Sequence, residues 1–234
     1  MMNKGALLTL FAEYEHQYDS LAETISDDGL RRKYGKGGEM LHRGALCPSP
    51  IYDLVIGNVR RGRVLMQPPK DVQPDYVYYF CGDRLRIADK YDDALGRCTR
   101  EYLLYQKHTV IAPRYCVLNM PWHGKMEGLS VCEYQEDGRI RSWMDLFRRR
   151  ASESPSEEDF EVHSEEYCYD GEGHLSRARM TTENLGYLCE QTYSFSHDAD
   201  GRIASYQVET CINGGEVIKR PVVYTIPPGK RRKV

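Results

Sequence analysis

The histidines, cysteines and serines of this chain do not fall into the spacing of a known catalytic or metal-binding motif. Seven histidines are scattered along 234 residues, and none forms a His-Glu-x-x-His pair. Eight cysteines are equally scattered, without a Cys-x-x-Cys pair, and no Gly-x-Ser-x-Gly motif or phosphate-binding glycine loop is present. We therefore expect the chain to have no assembled catalytic motif, no metal site and no bound cofactor. The alternative is a site assembled only by the fold, such as a Cys beside His123.

Two tryptophans and one histidine are the residues best suited to anchoring a partner. Trp122 and His123 lie in a loop at 120–124 that contains Pro and Gly, and loops carry a large share of binding residues. Trp143 lies in an apolar stretch at 140–147. Because aromatic anchors dominate many interfaces, we expect Trp122, His123 and Trp143 to bind a protein partner. The alternatives are that Trp122 covers an end of a sheet and that Trp143 belongs to the core.

The first segment has the apolar spacing of a helix. Large apolar side chains recur at steps of three and four from Leu7 to Ile25, which places them on one stripe. The Asp-Asp-Gly sequence at 27–29 interrupts the stripe, and residues 30–34 are predicted to form a short second helix. The stretch that follows, up to residue 50, is punctuated by Gly and Pro and is predicted to be a connector.

From residue 51 the apolar spacing changes to a period of two, which is typical of β-strands. The predicted strands lie at 51–56, 59–67, 77–81, 84–88, 97–107, 109–119, 129–135, 139–147, 160–169, 174–182, 187–197, 202–212 and 216–226. This pattern predicts a mainly β protein, an open twisted antiparallel meander of repeated hairpins with an N-terminal α-helix. The corresponding domains are a helical segment with connector at 1–50, a β-sheet domain at 51–226 and a basic tail at 227–234.

Three of the predicted hairpin turns share one sequence pattern. They read YQEDGRI at 134–140, YDGEGHL at 169–175 and HDADGRI at 197–203, and a looser copy occupies 91–97. The Asp or Gln at the second position can hydrogen-bond backbone groups across the turn. The Gly at the fifth position supplies the positive φ that ends a type I turn as a G1 bulge. The pattern thus specifies the backbone conformation of a turn. We expect the histidines within it to be there because these turn positions are exposed to solvent.

This turn pattern resembles the YD repeat of Rhs-type proteins, in which Tyr-Asp-x-x-Gly-Arg-Leu recurs along long β-sheets. The copy at 169–175 is the nearest match, with His174 in the place of the Arg. In that family many copies wrap into a shell around a toxic domain, whereas this chain has too few strands to enclose a cargo. Polymorphic-toxin systems also encode small antitoxins, the immunity proteins. A Tyr-rich β-sheet protein of this size is similar in kind to several of them.

Composition and charge indicate a cytoplasmic protein. The first residues carry one Lys and a short apolar run followed at once by Glu13 and Glu15, which is not the pattern of a signal peptide. We therefore expect the eight cysteines to be reduced and mostly buried, with a disulfide framework as the alternative.

The net charge of −3 argues against a mainly electrostatic nucleic-acid binder. The 18 tyrosines are typical of half-exposed sheet faces.

Two basic clusters stand out from this slightly acidic chain. The run Arg148, Arg149 and Arg150 precedes Ser152 and resembles a basophilic kinase site, or it is a solvated strand end. The tail from Lys230 to Lys233 resembles a nuclear import signal. Short basic clusters also serve as solubilising tails or contact phosphates and acidic partners, so all three interpretations of the tail stay open.

Four functions agree with these features. The first is a cytosolic binding protein, an immunity protein that neutralises a cognate toxin by direct protein–protein contact. The second is a structural module related to Rhs shells, which forms homo-oligomers through its sheet edges. The third is an enzyme whose site is assembled from distant residues. The fourth is a nucleic-acid-binding or nuclear protein that uses its basic tail. We expect no membrane partner, since no stretch is long and apolar enough to span a bilayer.

Overall fold

The fold is mainly β, and the prediction of an open antiparallel meander with an N-terminal helix is confirmed. The computed structural model describes residues 2–36, 63–70, 72–92, 96–117, 123–149, 156–215 and 218–226. These residues contain fourteen strands and two α-helices. By their contacts they divide into two compact units, unit 1 at Met1–Cys132 and unit 2 at Glu133–Val234.

The helices and strands follow one another along the chain without long interruptions among the described residues. In order they are α1 (Lys4–Tyr14), α2 (Tyr18–Thr24), β1 (Arg31–Lys36), β2 (Arg63–Leu65), β3 (Tyr76–Cys81), β4 (Arg84–Asp92), β5 (Arg97–Tyr102), β6 (Leu104–Tyr105), β7 (Thr109–Cys116), β8 (Met126–Tyr134), β9 (Ile140–Arg148), β10 (Phe160–Tyr169), β11 (Leu175–Asn184), β12 (Tyr187–His197), β13 (Ile203–Ile212) and β14 (Ile218–Thr225). The strands predicted from residue 77 onward correspond to β3 and its successors. The strand predicted at 51–56 lies outside the described residues.

Strand order follows chain order closely, as expected of hairpins that pair with their neighbours. In unit 1 the order is β2-β1-β3-β4-β5-β7-β8, with β6 also paired to β7. In unit 2 it is β9-β10-β11-β12-β13-β14. Each of the pairs within unit 2 is antiparallel and joined by a short connection or loop. Unit 2 is thus a meander in which each strand pairs with the one before it.

The apolar stripe of the N-terminal segment is split between two helices that pack on the sheet of unit 1. Asn3 begins α1 by accepting a 2.9 Å hydrogen bond from a backbone N–H of the first turn. Leu7 and Phe11 of this helix are buried. The hydroxyl of Tyr115 on β7 donates to the carbonyl of Tyr14 at 2.7 Å. This bond fixes the end of α1 to the sheet.

The helix predicted at 30–34 is wrong, because residues 31–34 belong to strand β1. The strand pairs with β3, which places Arg31 opposite Phe80 and Lys33 opposite Tyr78. Both cations lie over the Phe80 ring, with the Arg31 Cζ at 5.6 Å and the Lys33 Nζ at 4.8 Å from its centroid. These pairings with a distant strand outweigh the local helix propensity of the segment.

The repeated turns have the backbone that their sequence pattern specifies. Gly138, Gly173 and Gly201 have φ of 84°, 86° and 71°. The Oδ1 of Asp170 accepts backbone hydrogen bonds at 3.0 and 2.8 Å across its turn, and that of Asp198 does so at 3.1 and 3.0 Å. Strand register shifts just before the second and third turns, as a bulge requires. The prediction that Asp and Gly are structural in this pattern is therefore confirmed.

The described cysteines are free thiols in varied surroundings. Cys98, Cys116 and Cys132 are buried, whereas Cys81 and Cys168 are exposed. The remaining two described cysteines are half-buried. The expectation that the thiols are mostly buried therefore fails for more than half of those described.

Candidate functional site

The three residues predicted to bind a partner have different places in the structure. Trp122 lies outside the described residues. His123 is exposed, its Nδ1–H donates to the carbonyl of Val117 at 2.6 Å, and its ring meets that of Tyr18 edge-on at 5.3 Å. Trp143 is 2% exposed, so a partner reaches its ring only if the surrounding chain opens. A binding role for these residues stays a prediction.

Trp143 packs against a polar cluster that β9, β10 and β11 bring together on one face of the sheet. Glu165 lies opposite Trp143 across β9 and β10, and His163 lies opposite Thr182 across β10 and β11. The rings of Trp143 and His163 have centroids 5.5 Å apart. Tyr167 shares the face of Glu165 because side chains alternate along a strand. These five residues form the Trp143 cluster.

Hydrogen bonds in the Trp143 cluster surround a buried carboxylate. Glu165 is 0% exposed, its Oε1 lies 3.2 Å from the Nε2 of His163, and its Oε2 accepts the hydroxyl of Tyr167. The Nδ1 of His163 lies 3.0 Å from the Oγ1 of Thr182. With the proton on Nε2, a neutral His163 donates to Glu165 and accepts the Thr182 hydroxyl. The cluster thus supplies the donors without which burying a carboxylate is costly.

The order of carboxylate, imidazole and hydroxyl in the Trp143 cluster is also that of an acyl-transfer triad. Here the hydroxyl belongs to Thr182, which lies within a strand paired on both sides. The carboxylate is shared between His163 and Tyr167, so it does not serve the imidazole alone. These features favour a structural role. Sequence reasoning missed the cluster because its members come from three strands, although the alternation His163-x-Glu165-x-Tyr167 was a readable signal for three of them.

A buried ion pair in unit 1 links Asp89 on β4 with Arg100 on β5. Asp89 is 1% exposed, and its two oxygens accept from the Nε and Nη2 of Arg100, each at 2.8 Å. The hydroxyl of Tyr79 on β3 donates to the same carboxylate at 3.0 Å. Burial, helped by the charge of Asp89, raises the pKa of Tyr79, so this phenol stays neutral. The Nη2 of Arg100 also lies 3.4 Å from Asp27 beyond α2.

An aromatic row crosses β12, β13 and β14 on one face of unit 2. It consists of Tyr193, Phe195, Tyr206 and Tyr224, with ring centroids 6.2 Å apart for Phe195 and Tyr206 and 4.8 Å apart for Tyr206 and Tyr224. Exposure of the tyrosines rises from strand to strand, from 2% at Tyr193 to 8% at Tyr206 and 46% at Tyr224, and Phe195 is half-buried. Val223, on the opposite face of β14, is 64% exposed. The row therefore begins in the core and ends at β14, which among the described strands is paired on one side only.

Side chains of successive turns in unit 2 lie on one another. The guanidinium of Arg139, from the first turn, lies 4.6 Å from the ring centroid of Tyr169 at the start of the second. His174, from the second turn, stacks on His197 at the start of the third, with centroids 5.2 Å apart. Each also covers a turn glycine, Gly173 under Arg139 and Gly201 under His174. We call this arrangement the turn ladder.

The turn ladder corrects the expectation that simple exposure accounts for its histidines. The imidazoles of His174 and His197 stack at an interplanar angle of 28°. Burial, together with the neighbouring His174, lowers the pKa of His197. The position of His197 in the ladder thus favours the neutral form of its imidazole.

The remaining features considered from the sequence are a metal site, a membrane span and two basic clusters. Among the described residues, no three His, Cys, Asp or Glu side chains converge as metal ligands do. No helix in the described ranges has the length and apolarity to cross a membrane. Arg149 forms an ion pair with Glu161 at 2.7 Å, as a solvated strand end does, and the tail from Lys230 to Lys233 lies outside the described residues.

Comparison with known proteins gives no match to a protein-family model, a curated protein or a solved structure. The resemblance to the YD repeat therefore depends on the turn motif alone. Function has to be inferred from the surfaces and clusters of the chain itself.

Proposed function

We propose that this chain is a cytoplasmic binding protein that acts as an immunity protein, neutralising a bacterial toxin by direct contact. Such a role needs a complementary surface with rigid anchors at its centre and needs no catalytic group. The toxin setting comes from the YD-like turns, and the binding role comes from the surface of unit 2.

The exposed end of the aromatic row at β14 carries this proposal. β14 is paired with β13 on one side, and in the described part of the chain no strand is paired with its other side. An open strand presents backbone N–H and C=O groups that a partner strand can pair with. Tyr224 adds an aromatic side chain that is 46% exposed and is held in place by stacking on Tyr206. A tyrosine fixed in this way loses little side-chain freedom on binding, which favours a hot spot.

Co-expression with the product of the neighbouring gene tests the proposal. We expect the chain to rescue growth from that product and to co-purify with it. Tyr224→Ala is expected to weaken binding by at least 2 kcal/mol, about 30-fold, as loss of a hot-spot tyrosine does. Tyr187→Ala is the matched control, because Tyr187 is 44% exposed but lies on β12, away from the open strand. Absence of both binding and rescue contradicts the proposal, and equal effects of the two variants contradict the place of β14 in it.

A second candidate is a structural module related to YD-repeat shells that self-associates through its sheet edges. The turn ladder supports this candidate, because the stacking of one turn on the next can continue when further hairpins of the same kind are added. Light scattering across a wide range of protein concentration tests this candidate. A mass that stays that of one chain at every concentration contradicts it.

A further inference from the structure

The register of β14 determines which of its backbone groups point away from the sheet. Ile226 follows the strand, and its N–H donates to the carbonyl of Ala204 at 2.8 Å, so it bonds toward β13. Backbone groups of an antiparallel strand point alternately to one side and the other, so Tyr224, two residues earlier in the same register, also bonds toward β13. The residues that alternate with them, Val223 and Thr225, therefore direct their N–H and C=O groups to the other side. We call these groups the outward edge of β14, which no other described strand pairs with.

Prolines limit the length of the outward edge. Pro221 lies two residues before Val223, where the register of β14 begins to shift, and it has no N–H to donate. After Ile226 the sequence continues with two prolines, which also lack an N–H. Val223 and Thr225 thus supply the donors between these prolines. Because proline on an edge strand restricts which chains can pair with it, an added strand is confined to a short register centred on Tyr224.

The side chains along the outward edge are accessible and suit an apolar strand. Tyr224 is exposed on one face of β14, and Val223 and Thr225 are exposed on the other. Since Tyr224 bonds toward β13, a residue opposite it on an added strand forms a non-hydrogen-bonded pair with it, in which the Cα atoms are about 4.5 Å apart. Aromatic rings pair well with β-branched and aromatic side chains across such a pair. The outward edge therefore favours a strand that is rich in Val, Ile and Thr.

We propose that the outward edge binds an extended, proline-free segment of the partner protein, rich in β-branched residues, as an additional strand. The inference rests on the protein-binding role proposed above and adds the chemistry of the segment that is bound. Val223 and Thr225 form the hydrogen bonds of the new ladder, and a side chain of the segment packs on Tyr224. A foreign segment fits better than a second copy of this chain, because a second β14 would bring its own prolines into the ladder, whereas a proline-free segment can donate at every position.

The exchange of backbone amide protons with water, measured by nuclear magnetic resonance on the full chain, tests the inference. The probe is a peptide in which Thr and Val alternate, with a Lys at each end for solubility. Without the peptide, the amide of Tyr224 should exchange more slowly than those of Val223 and Thr225, because it already bonds to β13. A saturating concentration of the peptide should slow exchange at Val223 and Thr225 by roughly tenfold or more.

Two substitutions at one position separate backbone pairing from side-chain contact. Val223→Pro removes an outward donor and leaves the bonds to β13 in place, so by circular dichroism it should stay folded. In fluorescence anisotropy it should weaken binding of the labelled peptide by roughly tenfold or more, because a donor is lost and the proline ring obstructs the new ladder. Val223→Thr is the matched control, since it keeps the N–H and the branched Cβ, and it should change the affinity by less than about twofold. If Val223→Pro does not fold, amide exchange in the unaltered chain decides.

Four outcomes overturn the inference. They are an absence of peptide binding, binding that leaves amide exchange at Val223 and Thr225 unchanged, equal effects of the two substitutions, and a dimer that forms without peptide and is abolished by Val223→Pro. The last outcome makes the outward edge a contact between two copies of the chain.

The inference and the proposed function can fail separately, because the peptide assay does not use the neighbouring gene product. If the chain rescues growth from that product and the peptide does not pair, the side chain of Tyr224 carries the contact without an added strand. If the peptide pairs and there is neither rescue nor co-purification, the outward edge binds a strand but the toxin-neutralising role is wrong.

Discussion

Replacing Asp89 with Asn removes one charge from the most buried ion pair described in unit 1. The variant keeps the shape of the side chain but leaves the guanidinium of Arg100 without the carboxylate that it contacts twice at 2.8 Å. It also leaves a single acceptor oxygen, so the amide cannot accept from both nitrogens of Arg100 and from the Tyr79 hydroxyl as the carboxylate does. Breaking a buried pair by removing one partner costs about 3–5 kcal/mol. Because Arg100 is 20% exposed and keeps Asp27 at 3.4 Å, we expect the lower end, about 3 kcal/mol.

Urea unfolding followed by circular dichroism measures this loss. A chain of this size loses about 2–4 °C of Tm for each kcal/mol, so thermal unfolding should shift by roughly 6–12 °C. Asp83→Asn is the control, since Asp83 also pairs with an arginine, Arg31, but through one contact at 3.4 Å and with a fully exposed side chain, and we expect the unfolding midpoint of this variant to be unchanged. The double variant Asp89→Leu/Arg100→Met replaces the pair with apolar side chains and should recover most of the stability.

Two results would refute this reasoning about the buried pair. One is a loss below about 1 kcal/mol for Asp89→Asn, which would mean that solvent reaches the pair. The other is a double variant less stable than Asp89→Asn, which would mean that packing in this region depends on the polar network itself.

Three further predictions concern a turn, a thiol and a histidine. Gly173→Ala should destabilise the chain by about 1–2 kcal/mol in urea unfolding, because the φ of Gly173 is +86° and an added Cβ would lie 2.8 Å from the guanidinium of Arg139. Gly171→Ala in the same turn is the control. An added Cβ at Gly171 meets nothing within 4 Å, so this variant should unfold as the unaltered chain does. Burial raises the pKa of Cys98 to about 12, so iodoacetamide should modify exposed Cys81 and spare Cys98 until the chain unfolds, as mass spectrometry will show. Because the pKa of His197 is lower when folded, the unfolded chain binds more protons below about pH 6.5, and stability should fall as pH falls through that range. His197→Gln should remove this part of the fall in Tm, and an unchanged pH profile would contradict the assignment.

The turns and most strands could be predicted because their determinants are local. A Gly that must take positive φ and an Asp that bonds its own turn are specified within seven residues, so Gly173 and Asp170 were identified from the pattern alone. Strand β1 could not be predicted in this way. Its conformation is set by Phe80 and the rest of β3, which lie more than 40 residues away along the chain.

The complete Trp143 cluster could not be predicted for a similar reason, although the alternation within β10 pointed to three of its members. His163 is an isolated histidine in the sequence, and only the pairing of β10 with β9 and β11 brings it to Trp143 and Thr182. The sequence also left open whether Trp143 is core or anchor, because apolar spacing in a strand does not show what covers each face. Its 2% exposure places it in the core of unit 2.

The turn ladder bears on how this sheet can lengthen or shorten over evolutionary time. In the turn ladder, a side chain of one turn covers the first residue of the next turn. Arg139 of the first turn covers Tyr169, and His174 of the second turn covers His197. A whole hairpin can therefore be duplicated or deleted with its contacts intact, and the new neighbours meet the same kind of surface. The free energy of unfolding of such an array is the sum of the contributions of its hairpins and of the contacts between neighbouring hairpins. The two contacts differ in their side chains, because a guanidinium covers the next turn in one case and an imidazole does so in the other.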